Sequence, residues 1–288
     1  MSATEPIAAF LTALPLEYAA VKALFTDIEE VVHPDGTYAD LGRVTGIPWR
    51  IALVRTGVGV LNAATVTMRV TDWLRPQAAF FVGVAGGLHD DLEIGDVVVA
   101  TKVYGIHGGK LKDGRFDVRP AAWPVPYRLD QAAHKALEDR AEFKPVAVGD
   151  VVLADDDAEL REFLRAHYND AVAIEMEGTG FAHAAHVSEK LNAMIIRGIS
   201  DKAGADKGRT DKEGSQRRAA ANAARAAVAV LGKLLPVPER GTTEPSPAQT
   251  TVHNLGVYRG EHTEFKGTFN APVIGKVVNH GNPEHGQR

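Results

Sequence analysis

Between residues 7 and 235, short apolar runs alternate with stretches of helical spacing, and this alternation constrains the fold more than any other feature of the chain. "IAAFLTAL" (7–14) is a short apolar run. "PLEYAAVKALF" (15–25) then switches to helical spacing, with Pro15 suited to a first helical turn. The switch recurs along the chain. "AAFFVGVAGG" (78–87), "GDVVVATKVYG" (95–105), "PVAVGDVVLA" (145–154), "AVAIEME" (171–177) and "NAMIIRGIS" (192–200) are predicted strands. "LNAATVTMRVTDWL" (61–74), "LDQAAHKALEDRA" (129–141), "DDAELREFLRAHY" (156–168), "GTGFAHAAHVSEK" (178–190) and the Ala-rich stretch 211–235 are predicted helices. "TYADLGRV" and "PWRIALVRTG" read as neighbouring strands joined by the turn "TGIP". The segment from Gly105 to Tyr127, rich in Gly, Pro and charge, is expected to be a long functional or lid loop. Strands that are apolar end to end are buried on both faces. The pattern therefore predicts one α/β domain with a largely parallel sheet.

The bulk chemistry narrows the partners. The chain has a net charge of −5 and no basic run, which argues against nucleic acid. It has no cysteine, so thiolate catalysis, disulfides and cysteine metal sites are excluded, and a reducing cytoplasm is the expected compartment. Glu5 and the lack of a basic leader make the first residues a poor secretion signal. No uncharged apolar run reaches the ~18–20 residues of a membrane span, so no membrane partner is expected.

Ligands of open α/β sheets bind at the carboxyl ends of strands. Glu17, Gly57, Gly86, Gly87, Glu175, Glu177 and Asp201 all fall just after predicted strands. The glycines of "RTGVG" (55–59) and "GVAGGL" (83–88) suit either close approach of backbone N–H groups to a ligand or a tight strand-to-helix turn. Neither is a dinucleotide or nucleoside-triphosphate fingerprint. One carboxylate alone reads equally as a helix cap or a surface charge. Three at three strand ends suit cleavage of a glycosidic bond: one protonates the leaving group, one activates water, one holds sugar hydroxyls. His183 and His186 sit three apart on a helix but lack a third ligand at a recognisable spacing. His89 and His107 are loop residues without a visible partner, and no GxSxG occurs. No cofactor or metal is expected.

"FVGVAGGLHDDLEIGDVVVA", "AIEMEGTGFAHAA" and "IIRGISDKA" resemble the nucleoside phosphorylase superfamily, and within it the methylthioadenosine/S-adenosylhomocysteine nucleosidases. The resemblance covers roughly residues 7–235. It implies a three-layer sandwich, with a twisted mixed central sheet flanked by helices, and assembly into homo-oligomers. By resemblance, Glu17 activates the attacking water and Asp201 protonates purine N7, with Ser200 orienting it. Glu177 binds ribose hydroxyls, Met176 packs on the sugar, and Glu175 and Arg197 complete the segment. Val152 and Leu153 present the purine loop. Two departures stand out. Val84 replaces a small hydroxyl residue before "AGG", and Val152 replaces an aromatic ring. The implied activity is hydrolysis of a purine nucleoside or nucleotide. A phosphate-dependent phosphorylase and a decayed nucleotide sensor with an assembly tail remain as alternatives.

Composition changes after Leu235. Residues 236–250 hold four prolines and read as a linker. Residues 251–288, with four of the eleven histidines, are too glycine-rich to build a core. Their segment "GTFNAPVIGKVV" is β-prone and low in charge, and resembles the amyloid-type signalling motifs of immune effectors. That resemblance implies a self-assembling tail and a defence effector acting on adenine nucleotides such as ATP.

Overall fold

The computed structural model describes residues 5–149, 158–188, 191–202 and 212–237. The chain runs β1 (Ile7–Thr12), α1 (Pro15–Lys22), β2 (Thr26–Val32), β3 (Tyr38–Arg43), β4 (Arg50–Arg55), α2 (Val60–Leu74), β5 (Ala78–Gly87) and β6 (Val97–Gly105). It continues with β7 (Gly109–Lys112), β8 (Arg115–Val118), β9 (Ala121–Pro124), α3 (Tyr127–Leu137), β10 (Glu142–Val148) and α4 (Ala158–His167). It closes with β11 (Ala173–Glu175), α5 (Gly178–Val187), β12 (Asn192–Lys202) and α6 (Lys212–Lys233). Expectation and structure agree on the central strands and on α2, α5 and α6 to within a few residues.

The main sheet has ten strands in the order β11-β10-β6-β12-β5-β1-β4-β3-β2, with β9 paired to β6. One further pairing bends it on itself. Ala173 and Ile174 of β11 pair antiparallel with Gly87 and Gly86 of β5. Strands β5, β12, β6, β10 and β11 thus form a closed ring, and the carboxyl end of β5 lies between β11 and the carboxyl end of β12.

The sheet is mixed, as the family resemblance implies, and this corrects the largely parallel reading taken from the strand pattern alone. β1–β4, β1–β5, β5–β12, β6–β10 and β10–β11 are parallel, while β2–β3 and β3–β4 are antiparallel. Short turns join β2 to β3 and β3 to β4, and a short turn can only connect antiparallel neighbours. The segment 105–127 is not a plain loop either. Asp113 and Gly114 both take positive φ, the two-residue turn that closes a twisted hairpin, so β7 and β8 pair and β9 returns to β6.

Helices cover both faces. On one side Phe10, Phe80, Val82, Met194 and Ile196 meet the alanine-rich face of α6 and the buried side of α3. On the other, Leu11, Phe81, Val98 and Ile195 meet Ala63 and Val70 of α2 and Phe181 of α5. No described helix is long and apolar enough to cross a membrane.

Candidate active site

The first carboxylate belongs to the turn between β1 and α1. Glu17 is 3% exposed and folds back over the start of its own helix. Its Oε2 accepts the backbone N–H groups of Ala13 and Leu14 at 2.9 and 2.8 Å. Its Oε1 accepts the Val84 N–H of β5 at 2.9 Å. Two donors hold this acid over its own turn, and the third ties it to β5. Burial nevertheless raises its pKa above the ordinary carboxylate value, against the opposing pull of Arg197 and those N–H groups.

Glu175 and Glu177 flank the junction of β11 and α5, and they do different things. Glu175 accepts the N–H groups of Glu177 and Gly178 at 3.1 and 2.7 Å. It also pairs with Arg197 Nη2 at 2.5 Å. Both oxygens are engaged and the side chain is 2% exposed. The sequence places Glu175 among the candidate substrate-binding residues; in the fold its oxygens meet Arg197 and two backbone N–H groups. Arg197 is equally enclosed, at 0% exposure, with its guanidinium 4.5 Å above the Phe81 ring. Its Nε and Nη1 find no hydrogen-bond partner among the described residues.

Glu177 caps α5 and reaches across to the loop before α2, where Gly59 donates its N–H to Oε1 at 3.0 Å. Gly59 sits at φ 100°, a conformation side chains resist. Burial pushes the Glu177 pKa up to about 7, helped by the Glu175 charge and opposed by Arg197 and the Gly59 N–H.

Asp201 ends β12. The register of β12 on β5 slips between Ile199 and Asp201, placing Asp201 opposite Gly86. Such a bulge re-aims the side chains around it. Ser200 donates its hydroxyl to Asp201 Oδ2 at 2.9 Å, and Asp201 stays partly open to solvent.

The other expected residues divide. Met176 is half-buried between the two glutamates, and Val84 is half-buried beside Glu17. Gly86 and Gly87 are the last residues of β5 and pair with both β11 and β12. Gly57 takes φ 79° in the loop after β4, but Gly59 is the glycine that reaches an acid. Val152 and Leu153 lie outside the described residues. His183 packs edge-on against Trp123, at 6.0 Å between ring centroids. The described residues contain no group of three or more His, Asp or Glu able to hold a metal ion.

Glu17, Glu175 and Glu177 thus gather around Arg197, with Asp201 four residues further along β12. The phosphorylase superfamily matches this chain over residues 7–232. The chain belongs to the phosphorylase superfamily. A 5′-methylthioadenosine/S-adenosylhomocysteine nucleosidase of Geobacillus thermodenitrificans is 30% identical over 203 residues, covering 68% of this chain and 84% of that protein. The nucleosidase of Bacillus licheniformis is 32% identical over 164 residues, 54% of this chain and 69% of that protein. Among solved structures, the nucleosidase of Colwellia psychrerythraea 34H in complex with adenine superposes with a TM-score of 0.70 at 26% identity, covering 81% of this chain and 98% of that one. By class this superfamily member is an N-ribosyl hydrolase.

Proposed function

We propose that this superfamily member hydrolyses the N-glycosidic bond of an adenine nucleoside, releasing free adenine and the sugar. The observation that carries the reading is the buried Glu17 carboxylate, fixed on β5 by the Val84 N–H with Arg197 beside it. A general base works best with a pKa near the working pH, and burial moves Glu17 in that direction. In the reaction, water attacks the anomeric carbon as the bond to the purine breaks. Glu17 takes the water proton. Asp201, in its acid form, gives a proton to purine N7, so the base leaves neutral. Glu177 accepts from ribose hydroxyls, which steadies the oxocarbenium-like transition state.

Hydrolysis is favoured over phosphorolysis on electrostatic grounds. A phosphate dianion would face Glu17 and Glu177, while Arg197 is already committed to Glu175. Val84 offers no hydroxyl to such an anion. The test is chromatographic detection of free adenine from 5′-methylthioadenosine, S-adenosylhomocysteine, adenosine and ATP, with and without phosphate. Adenine without phosphate is expected. Product only in phosphate refutes hydrolysis.

Two finer proposals accompany this one. The tail sequence 251–288, outside the described residues, supports an effector acting on adenine nucleotides, which the ATP arm tests. Exposed apolar side chains on α2 and its surroundings, Leu61 at 82%, Val58, Met68 and Val187, support a homo-oligomer, to be read by light scattering.

A further inference from the structure

Strand β5 carries a gap in its side-chain pattern. Phe81, Gly83 and Ala85 alternate onto one face, large, absent and small. Gly83 is directly opposite Arg197 in the β5–β12 pairing. A methyl group at Gly83 would lie 2.2 Å from Arg197 Nη1 and 2.5 Å from Glu17 Oε1, closer than any real contact. Backbone freedom does not account for the glycine, because Gly83 is paired in a strand and is not among the positive-φ positions. Neither neighbour has room to yield. Arg197 is wholly enclosed and tied to Glu175, and Glu17 is held by three N–H groups.

We propose that Gly83 is a positioning residue for the hydrolysis: its missing side chain is what allows Glu17 and Arg197 to stand side by side on β5. The space over Gly83 fixes the carboxylate against the strand and keeps the guanidinium alongside without a direct pair. The inference rests on the hydrolytic reading above, so it is tested only on an activity first measured in the unaltered chain.

The experiment is Gly83→Ala, assayed by adenine release from 5′-methylthioadenosine across pH. A displacement near 1 Å is expected to lower kcat about 100-fold. KM should stay within about threefold, since Glu177 and Asp201 are untouched. The acid limb of kcat/KM should move to higher pH, because the displaced carboxylate loses either the Val84 N–H or the nearby arginine, both of which hold its pKa down. Gly83→Ala/Arg197→Lys should be less impaired than the two single losses combined, because the slimmer lysine makes room for the methyl. A folded Gly83→Ala enzyme with near-normal kcat overturns the proposal. So does a loss of kcat with an unmoved acid limb, or strict additivity in the double variant. Should Gly83→Ala fail to fold, recovery of folding in the double variant supports the clash, and an equally unfolded double variant overturns it. If the unaltered chain releases no adenine, the hydrolytic reading itself fails, and that outcome is distinct from all of these.

Discussion

Replacing Glu177 with glutamine removes a charge from the site while leaving its shape. The amide oxygen can still accept the Gly59 N–H, so the link between α5 and the loop before α2 survives. The charge is what changes. A carboxyl with a pKa of about 7 in the fold, against an ordinary 4.5, binds its proton more tightly folded than unfolded. Its contribution to stability therefore declines as pH rises from 4.5 to 7 and is constant above that window. At 1.36 kcal/mol per tenfold in proton affinity, the ionised group costs the unliganded fold about 3 kcal/mol above pH 7. The cause is first burial and then the Glu175 charge. Glu177→Gln should consequently melt about 6–12 °C higher than the parent at pH 8, at about 2–4 °C per kcal/mol for a chain of this size. Below pH 4.5 the two curves should converge. Turnover should move the other way. The amide nitrogen cannot accept a ribose hydroxyl, and losing a hydrogen bond to a charged group is worth about 10–100-fold. The assay is a pair of melting curves against pH, alongside adenine release. Melting curves parallel from pH 4 to 8 would refute the argument that this acid is held ionised at a cost.

Four further outcomes are expected. Asp201→Asn should fold normally and lose about 10²–10⁴-fold in kcat, as removal of a general acid does; near-normal turnover removes it from the chemistry. Glu17→Gln should abolish hydrolysis while calorimetry still detects adenine-nucleoside binding; loss of both reassigns it to sugar binding or structure. Arg197→Met should destabilise the fold by about 3–5 kcal/mol in urea titrations, because Glu175 is left buried and unpaired; a near-neutral result contradicts the structural role assigned to the pair. Removing residues 251–288 should leave adenine release and melting unchanged, while the tail on an inert carrier binds thioflavin; a carrier that stays monomeric at high concentration refutes the self-assembly reading.

The central strands were legible because runs such as "AAFFVGVAGG" and "NAMIIRGIS" are apolar on both faces, as strands covered by helices on both sides must be. The edge was not. β2, "TDIEEVV", is exposed along nearly its whole length, so no buried face imprints a period on it. The hairpin of β7 and β8 did leave a mark, the Asp113–Gly114 pair, but the glycine and charge around it masked the strands. The acids could be found as carboxylates following apolar runs. Their division of labour could not. Glu175 and Glu177 are two residues apart, and only the folded geometry separates them: Glu175 is tied to Arg197 and two N–H groups, while Glu177 reaches across to Gly59. Gly59 and Gly83 act through a backbone N–H and a missing methyl, and neither announces itself in a side-chain pattern.

The balance of charge explains why a buried ion pair stands beside two acids left without one. Three enclosed carboxylates surround a single enclosed guanidinium. If Arg197 bonded Glu17 directly, the charge-assisted pair would hold that carboxylate ionised at low pKa and weaken it as a base. Glu175 prevents this. It takes the direct bond at 2.5 Å and is itself completed by two backbone N–H groups, so its charge is satisfied locally. Glu17 and Glu177 then feel Arg197 only through space and keep the raised affinity for protons that burial gives them. On this argument Glu175 contributes to catalysis by occupying the arginine. Glu175→Gln should then lower the acid limb of the pH profile, because the Arg197 charge beside Glu17 is no longer neutralised by its partner, and an acid limb that rises instead would contradict it.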